Sequence, residues 1–175
     1  FAGESDPVNY ENLARAIAAF ERTLVTRDRF DDFLKGQTEV LTSAELKGLH
    51  TFLTLGCTAC HNGPLLGGNS YQKVGLIKPY ENQTDVGRAT VTKDDDDKFK
   101  FKVPSLRNIA VTYPYFHDGK IRTLPEAVRK MADLQIGIQL TKEQEADLVA
   151  FLQTLTGKGI KTVGVATGAG AAGKL

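Results

Sequence analysis

The chain has 175 residues, 41% of them hydrophobic and 25% charged, with a formal net charge of +1. That length suits one well-formed core rather than two, and the near-neutral balance excludes both the basic footprint of a nucleic-acid binder and a disordered acidic chain. No apolar run reaches the ~18 residues that a membrane-spanning helix needs, no signal-peptide pattern opens the chain, and Phe1 in place of an initiating methionine marks either a processed form or a piece of something longer.

Pro7 stands at a helix-start position, and Leu13, Ile17, Phe20 and Leu24 recur at the spacing of an amphipathic helix. A second helical stretch runs through Phe30, Phe33 and Leu34 and stops at Gly36, a residue suited to a C-terminal cap. Thr42-Ser43-Ala44-Glu45 has the form of a capping box, and Leu46, Leu49, Phe52 and Leu53 supply the apolar stripe of the helix it opens. That helix leads into Gly56-Cys57-Thr58-Ala59-Cys60-His61, which holds both cysteines of the chain. Cys-x-x-Cys-His is the attachment run of a c-type haem. Two thiols at this spacing can form thioethers to the two vinyl groups of one porphyrin, and the histidine directly after them is held under the iron. A thioredoxin-like dithiol is the competing reading, but it expects a βαβ setting and has no use for the histidine.

Between Asn62 and Pro79 four glycines, Gly63, Gly67, Gly68 and Gly75, predict an irregular loop packed closely on a flat ring. Arg88–Thr92 and Lys98–Val103 alternate with period two around the acidic block Asp94–Asp97, which predicts a β-hairpin with a solvated turn. The block lacks the spacing and distal glutamate of an EF-hand, so by itself it predicts no calcium site. Ser105–Ala110 predicts a short helix, and Thr112–Lys120 a loop. Thr123-Leu124-Pro125-Glu126 predicts a second capping box, opening a helix with Ala127, Val128 and Met131, and Thr141-Lys142-Glu143-Gln144 a third, with Leu148, Val149, Phe151, Leu152 and Leu155 inward and Gly157 as its close. The expected organisation is a haem domain over residues 1–157 and a Gly/Ala-rich tail over 158–175, laid on the surface or mobile.

A haem held by His61 has one axial position left. Met131, the only methionine, is the first candidate: a thioether raises the potential and closes the site, which suits electron transfer. A lone methionine filling a gap in the core is the plain alternative. His117, in an aromatic loop, is either a rival ligand or a histidine hydrogen-bonded near the haem propionates, and His50 is expected to be exposed. Arg107 is either a propionate partner, because a guanidinium grips a carboxylate bidentately, or a member of a surface ion pair.

With these residues in hand, the sequence resembles the bacterial dihaem cytochrome c peroxidase family. The resemblance is carried by Ala16–Leu24, by Gly56–His61 followed by Gly67-Gly68-Asn69, by Pro104–Ala110, by Thr112–Lys120 and by Glu126–Gly137, from about Asn9 to Gly157. It implies an all-α, cytochrome c-like domain around one covalent haem with a long irregular excursion, similar to the C-terminal, electron-transferring half of such enzymes. Cys57 and Cys60 would hold the haem, with His61 proximal and Met131 distal. The resemblance further implies a calcium ion on the backbone carbonyls of Thr112 and Pro114, a periplasmic location, and a small cytochrome c or a copper protein as donor; it leaves a homodimer open. Met131 sets the chain apart from relatives that build a tryptophan-derived cofactor, which carry a tyrosine there.

The chain departs from that family in having one Cys-x-x-Cys-His run. The half with the peroxidatic haem and its catalytic glutamate and glutamine is not in this sequence. Two functions therefore stand: the electron-transfer domain of a hydrogen peroxide reductase whose peroxidatic haem lies elsewhere, or a self-contained single-haem electron carrier.

Overall fold

A computed structural model describes residues 1–160; the tail predicted over 158–175 lies, from residue 161 onward, outside the described residues. Among the described residues the chain forms six α-helices, several single 3-10 turns, one π turn and a two-stranded ribbon, an all-α architecture in its main features. No helix among the described residues is long and apolar enough to cross a membrane.

Helix α1 spans Tyr10–Glu21. It starts three residues after Pro7, because the side chain of Asn9 caps it by accepting from the Asn12 amide at 2.8 Å. Its stripe finds no cover: Leu13, Ile17 and Phe20 are 58%, 51% and 63% exposed, and the only residue that the helix buries is Asn12. Helix α2, Arg29–Leu34, is opened by a reciprocal box between Asp28 and Asp31, and the chain turns away at Gly36 in a left-handed conformation.

Helix α3, Ser43–Thr54, and helix α6, Lys142–Gln153, begin at the predicted Thr42/Glu45 and Thr141/Gln144 boxes and pack on each other along their lengths. Leu46 and Leu53, predicted to face inward on α3, are exposed; the buried face is Glu45, Gly48 and Phe52. The reason is Gly48. A Cβ there would lie 1.9 Å from the Asp147 carbonyl oxygen on α6 and 2.8 Å from Phe151 Cβ, so the missing side chain lets the two backbones meet and rotates α3 about that contact. Phe151, fully buried, then sits edge-on to Phe30 of α2 at 5.3 Å and tilted against Phe52 at 5.4 Å.

The predicted hairpin is replaced by something else. Arg88–Thr92 does not form a strand: helix α4 occupies Ala89–Thr92, and a 3-10 turn takes Asp95–Asp97. The strand β2, Lys100–Lys102, pairs antiparallel with β1, Tyr71–Lys73, with Tyr71 opposite Lys102. Asp97 draws Arg88 and Lys100 together at 2.9 and 3.0 Å, which folds the excursion back on itself, while the other aspartates of the block are exposed as expected. The helix predicted over Ser105–Ala110 is a single 3-10 turn, Ile109–Val111, preceded by Asn108 in the left-handed region. Asn108 ties three segments: its amide nitrogen donates to Leu155 O and its side chain donates to Thr26 Oγ1 and accepts from the Gly157 amide.

Helix α5, Leu124–Met131, is capped by Thr123 with Pro125 in its first turn, but the return bond from Glu126 that would complete a box is not made. Its inner face, Leu124, Ala127 and Val128, joins Phe30, Phe52, Phe151 and Leu155 in the buried cluster, on whose flank Cys57 and Leu66 pack.

Replacing Gly48 by alanine should destabilise the protein. Alanine is the better helix former by ~1 kcal/mol, but overpacking against an unyielding backbone costs about 1–3 kcal/mol. Urea unfolding should show a lower midpoint, and an unchanged one would mean that the helices do not cross this closely.

Candidate functional site

Helix α3 ends at Leu55, and Gly56 reverses the chain with φ +85°. Cys57–Ala59 then forms a 3-10 turn in which the Cys60 and His61 amides both donate to Cys57 O. This turn places the two thiols and the imidazole on consecutive corners of one short loop. Both cysteines are free and half-buried. Burial pushes the Cys57 thiol up from its ordinary pKa.

His61 is oriented by the loop that follows. The Leu66 carbonyl lies 3.3 Å from its Nδ1, and since a carbonyl can only accept, Nδ1 carries the proton and Nε2 keeps its lone pair. Burial lowers the proton affinity of the ring, with the backbone carbonyls of Leu66 and Pro104 opposing, which favours the neutral form that a metal requires. Leu66 is fixed in turn. Gly67 donates to Asn62 O and Gly68 to Val103 O, each at 2.8 Å. A Cβ on Gly67 would come within 2.1 Å of Pro104 O, so this glycine serves the close approach of two backbones. Two free thiols and an imidazole held by a backbone carbonyl, in the order Cys-x-x-Cys-His, are a donor set that fits a c-type haem.

Met131 is the half-buried last residue of α5, directly before the π turn Ala132–Ile136. His50 is exposed on α3. Thr112 and Pro114 are exposed, and among the described residues neither carbonyl accepts a hydrogen bond. No group of three or more His, Cys, Asp or Glu side chains able to hold a metal occurs among the described residues.

Arg107 pairs with the start of α2. Its Nη1 lies 2.5 Å from Asp28 Oδ2, its Nη2 3.0 Å from Asp31 Oδ1, and its Nε donates to Pro64 O at 3.0 Å. Each of its three nitrogens thus has a partner, and the ion pair is buried rather than superficial: Asp28 has no exposed surface. Nothing in the sequence pointed to Asp28, because its partner is 79 residues away.

His117 lies flat on Phe101 at 3.9 Å and edge-on to Tyr80 at 5.5 Å, and its buried Nε2 has no partner among the described residues. Next to it Asp118 accepts from Tyr80 Oη at 3.1 Å and from Asn82 Nδ2 at 3.0 Å. Burial, followed by the hydrogen bond and charge of Asp118, pushes the Tyr80 phenol up to about 12. Sequence reasoning missed this pair, since no local pattern links positions 80 and 118.

The cytochrome c family profile matches residues 46–156. The chain is 48% identical over 155 residues to the cytochrome c551 peroxidase of Nitrosomonas europaea, covering 87% of this chain and 46% of that protein. It is 44% identical over 163 residues to the cytochrome c551 peroxidase of Pseudomonas aeruginosa, covering 90% and 47%. Among solved structures, a MauG-like protein associated with microbial copper homeostasis superposes with a TM-score of 0.71 at 30% identity, covering 89% of this chain and 55% of that one. The chain thus spans about half the length of the curated relatives it matches.

Tyr80 should ionise last of the five tyrosines when phenolate absorbance is followed against pH. Its phenol stays neutral in the folded chain between about pH 10 and 12, where the unfolded chain ionises. The stability it contributes is therefore intact below pH 10 and lost as pH rises through about 12. Asp118→Asn should bring Tyr80 partway back, and a single titration of all five near pH 10 would refute the assignment.

Proposed function

The chain belongs to the cytochrome c family, and from that premise we propose that it is the electron-accepting haem c domain of a periplasmic cytochrome c peroxidase, handing electrons from a small donor protein to a peroxidatic haem outside this sequence. The observation that carries the reading is the Cys57-Thr58-Ala59-Cys60-His61 turn, with His61 Nδ1 held by the Leu66 carbonyl and Nε2 left to a metal. The similarity to two cytochrome c551 peroxidases, each about twice this length, supports the peroxidase assignment.

In this reading Cys57 and Cys60 would hold the haem through thioethers, and His61 and Met131 would ligate its iron. Haem c, when bound, supplies one-electron chemistry at a potential set by its axial ligands. The rest belongs to the chain. The Leu66 carbonyl fixes the imidazole tautomer, and Met131 as the second ligand would leave no open position for peroxide, so this half would relay electrons. Thr112 and Pro114 offer two free carbonyls to a calcium ion. The uncovered stripe of α1, Leu13, Ile17 and Phe20, is the face that the peroxidatic half would cover, which accounts for an apolar surface that an isolated domain has no reason to expose. A small cytochrome c or a copper protein is the donor.

The native protein should carry two haems per functional unit and reduce hydrogen peroxide when supplied with reduced donor. One haem per native chain without peroxide turnover would return the single-haem carrier instead. Substituting Met131 by histidine should lower the potential and remove the charge-transfer absorption of sulfur on ferric iron; an unchanged spectrum would reject Met131 as ligand.

A further inference from the structure

Helix α5 ends at Met131 and is followed without a break by the π turn Ala132–Ile136. Such turns are rare and occur where a local offset of the backbone serves a site. This one is held from outside, by the loop that follows β1. Gln135 Oε1 accepts from the amides of Gly75 and Leu76, both at 2.8 Å, and its Nε2 donates to Lys73 O at 3.0 Å. The carbonyl of the neighbouring Leu134 accepts from Ile77 and Lys78 at 2.9 and 3.1 Å, and the Lys78 ammonium pairs with Asp133.

The loop at the other end of these bonds is not independent of His61. It continues β1, which pairs with β2; β2 runs into Val103, whose carbonyl accepts from Gly68. Gly67 presses on Pro104, and the residue before it, Leu66, holds the His61 ring. One amide side chain and a short ribbon thus connect the segment carrying His61 with the segment that begins at Met131.

We propose that Gln135 is a positioning residue for Met131: it locks the turn after α5 to the loop after β1 and so fixes how far the thioether can withdraw from the side held by His61. The inference rests on Met131 as the distal ligand. Its chemistry requires a neutral amide, because two N–H groups need an acceptor and one carbonyl needs a donor, and the two ends of a single glutamine supply both. Glutamate would keep the acceptor and lose the donor; leucine would lose both.

The test compares haem-loaded wild type, Gln135→Leu and Gln135→Glu by the sulfur-to-ferric-iron absorption, the reduction potential and cyanide binding to the ferric form. Loss of a group that holds a metal ligand in place typically costs about 10- to 100-fold in affinity, so Gln135→Leu should weaken the absorption, lower the potential and bind cyanide roughly tenfold or more tightly. Gln135→Glu should fall between it and wild type. If both variants keep the wild-type absorption, potential and cyanide affinity, the inference is overturned, even where their melting temperature drops. Should Gln135→Leu fail to fold, an unaltered spectrum and cyanide affinity in Gln135→Glu overturns it alone. A wild type that lacks the absorption overturns the ligand assignment first and this inference with it, a result told apart by Met131→His being equally silent.

Discussion

The close crossing of α3 and α6 governs the rest of the molecule. Where Gly48 meets the Asp147 carbonyl, two helix backbones approach with no side chain between them, and Phe52 and Phe151 close over the contact. Because α3 runs directly into Gly56 and the Cys57–His61 turn, the angle of that crossing fixes where the two thiols and the imidazole emerge. Burial of Phe151 on the opposite helix and of Leu155 just past its end supplies the apolar area that holds the crossing together.

A second tie joins the start of α2 to the loop before α5. Asp28 caps α2 and at the same time faces the Arg107 guanidinium, with Asp31 beside it. A buried charge survives only when paired and hydrogen-bonded, and here Asp28 also accepts from the Asp31 amide of its own helix while Arg107 also donates to the Pro64 carbonyl. Asn108, next in sequence, adds bonds to Thr26 and Gly157, so the chain on either side of the haem motif is stitched to the C-terminal helix by polar contacts rather than by regular structure.

The segments that bring the proposed axial ligands are short and irregular, which suits a site needing fixed geometry on little secondary structure. Leu66 O holds the His61 ring, and Gln135 with Leu134 O ties the turn that follows Met131 to the loop after β1. Both rely on backbone carbonyls and amides, whose positions vary less than those of long side chains. The arrangement ties down the segments on which His61 and Met131 lie and leaves the apolar stripe of α1 outside the core.

The haem motif, the capping residues Thr42, Thr123 and Thr141, the stop at Gly36 and the buried run Leu148, Phe151, Leu152 were all readable in the sequence, because each depends on neighbours within one or two helical turns. The strand partner of Lys100–Lys102 was not. Period-two alternation marks a strand but not its mate, and Asp97 drew Arg88 into a turn that left Tyr71–Lys73 as the neighbour. Leu46 and Leu53 were misplaced for a similar reason, since the side that α3 buries is set by where a glycine meets another helix. What the sequence determined by itself was the chemistry at one short turn and the helices around it. Only the tertiary structure decided that Arg107 belongs to Asp28, that Tyr80 faces Asp118 and that Gln135 reaches back to Gly75, because those bonds join residues 79, 38 and 60 positions apart and leave no trace in any local pattern.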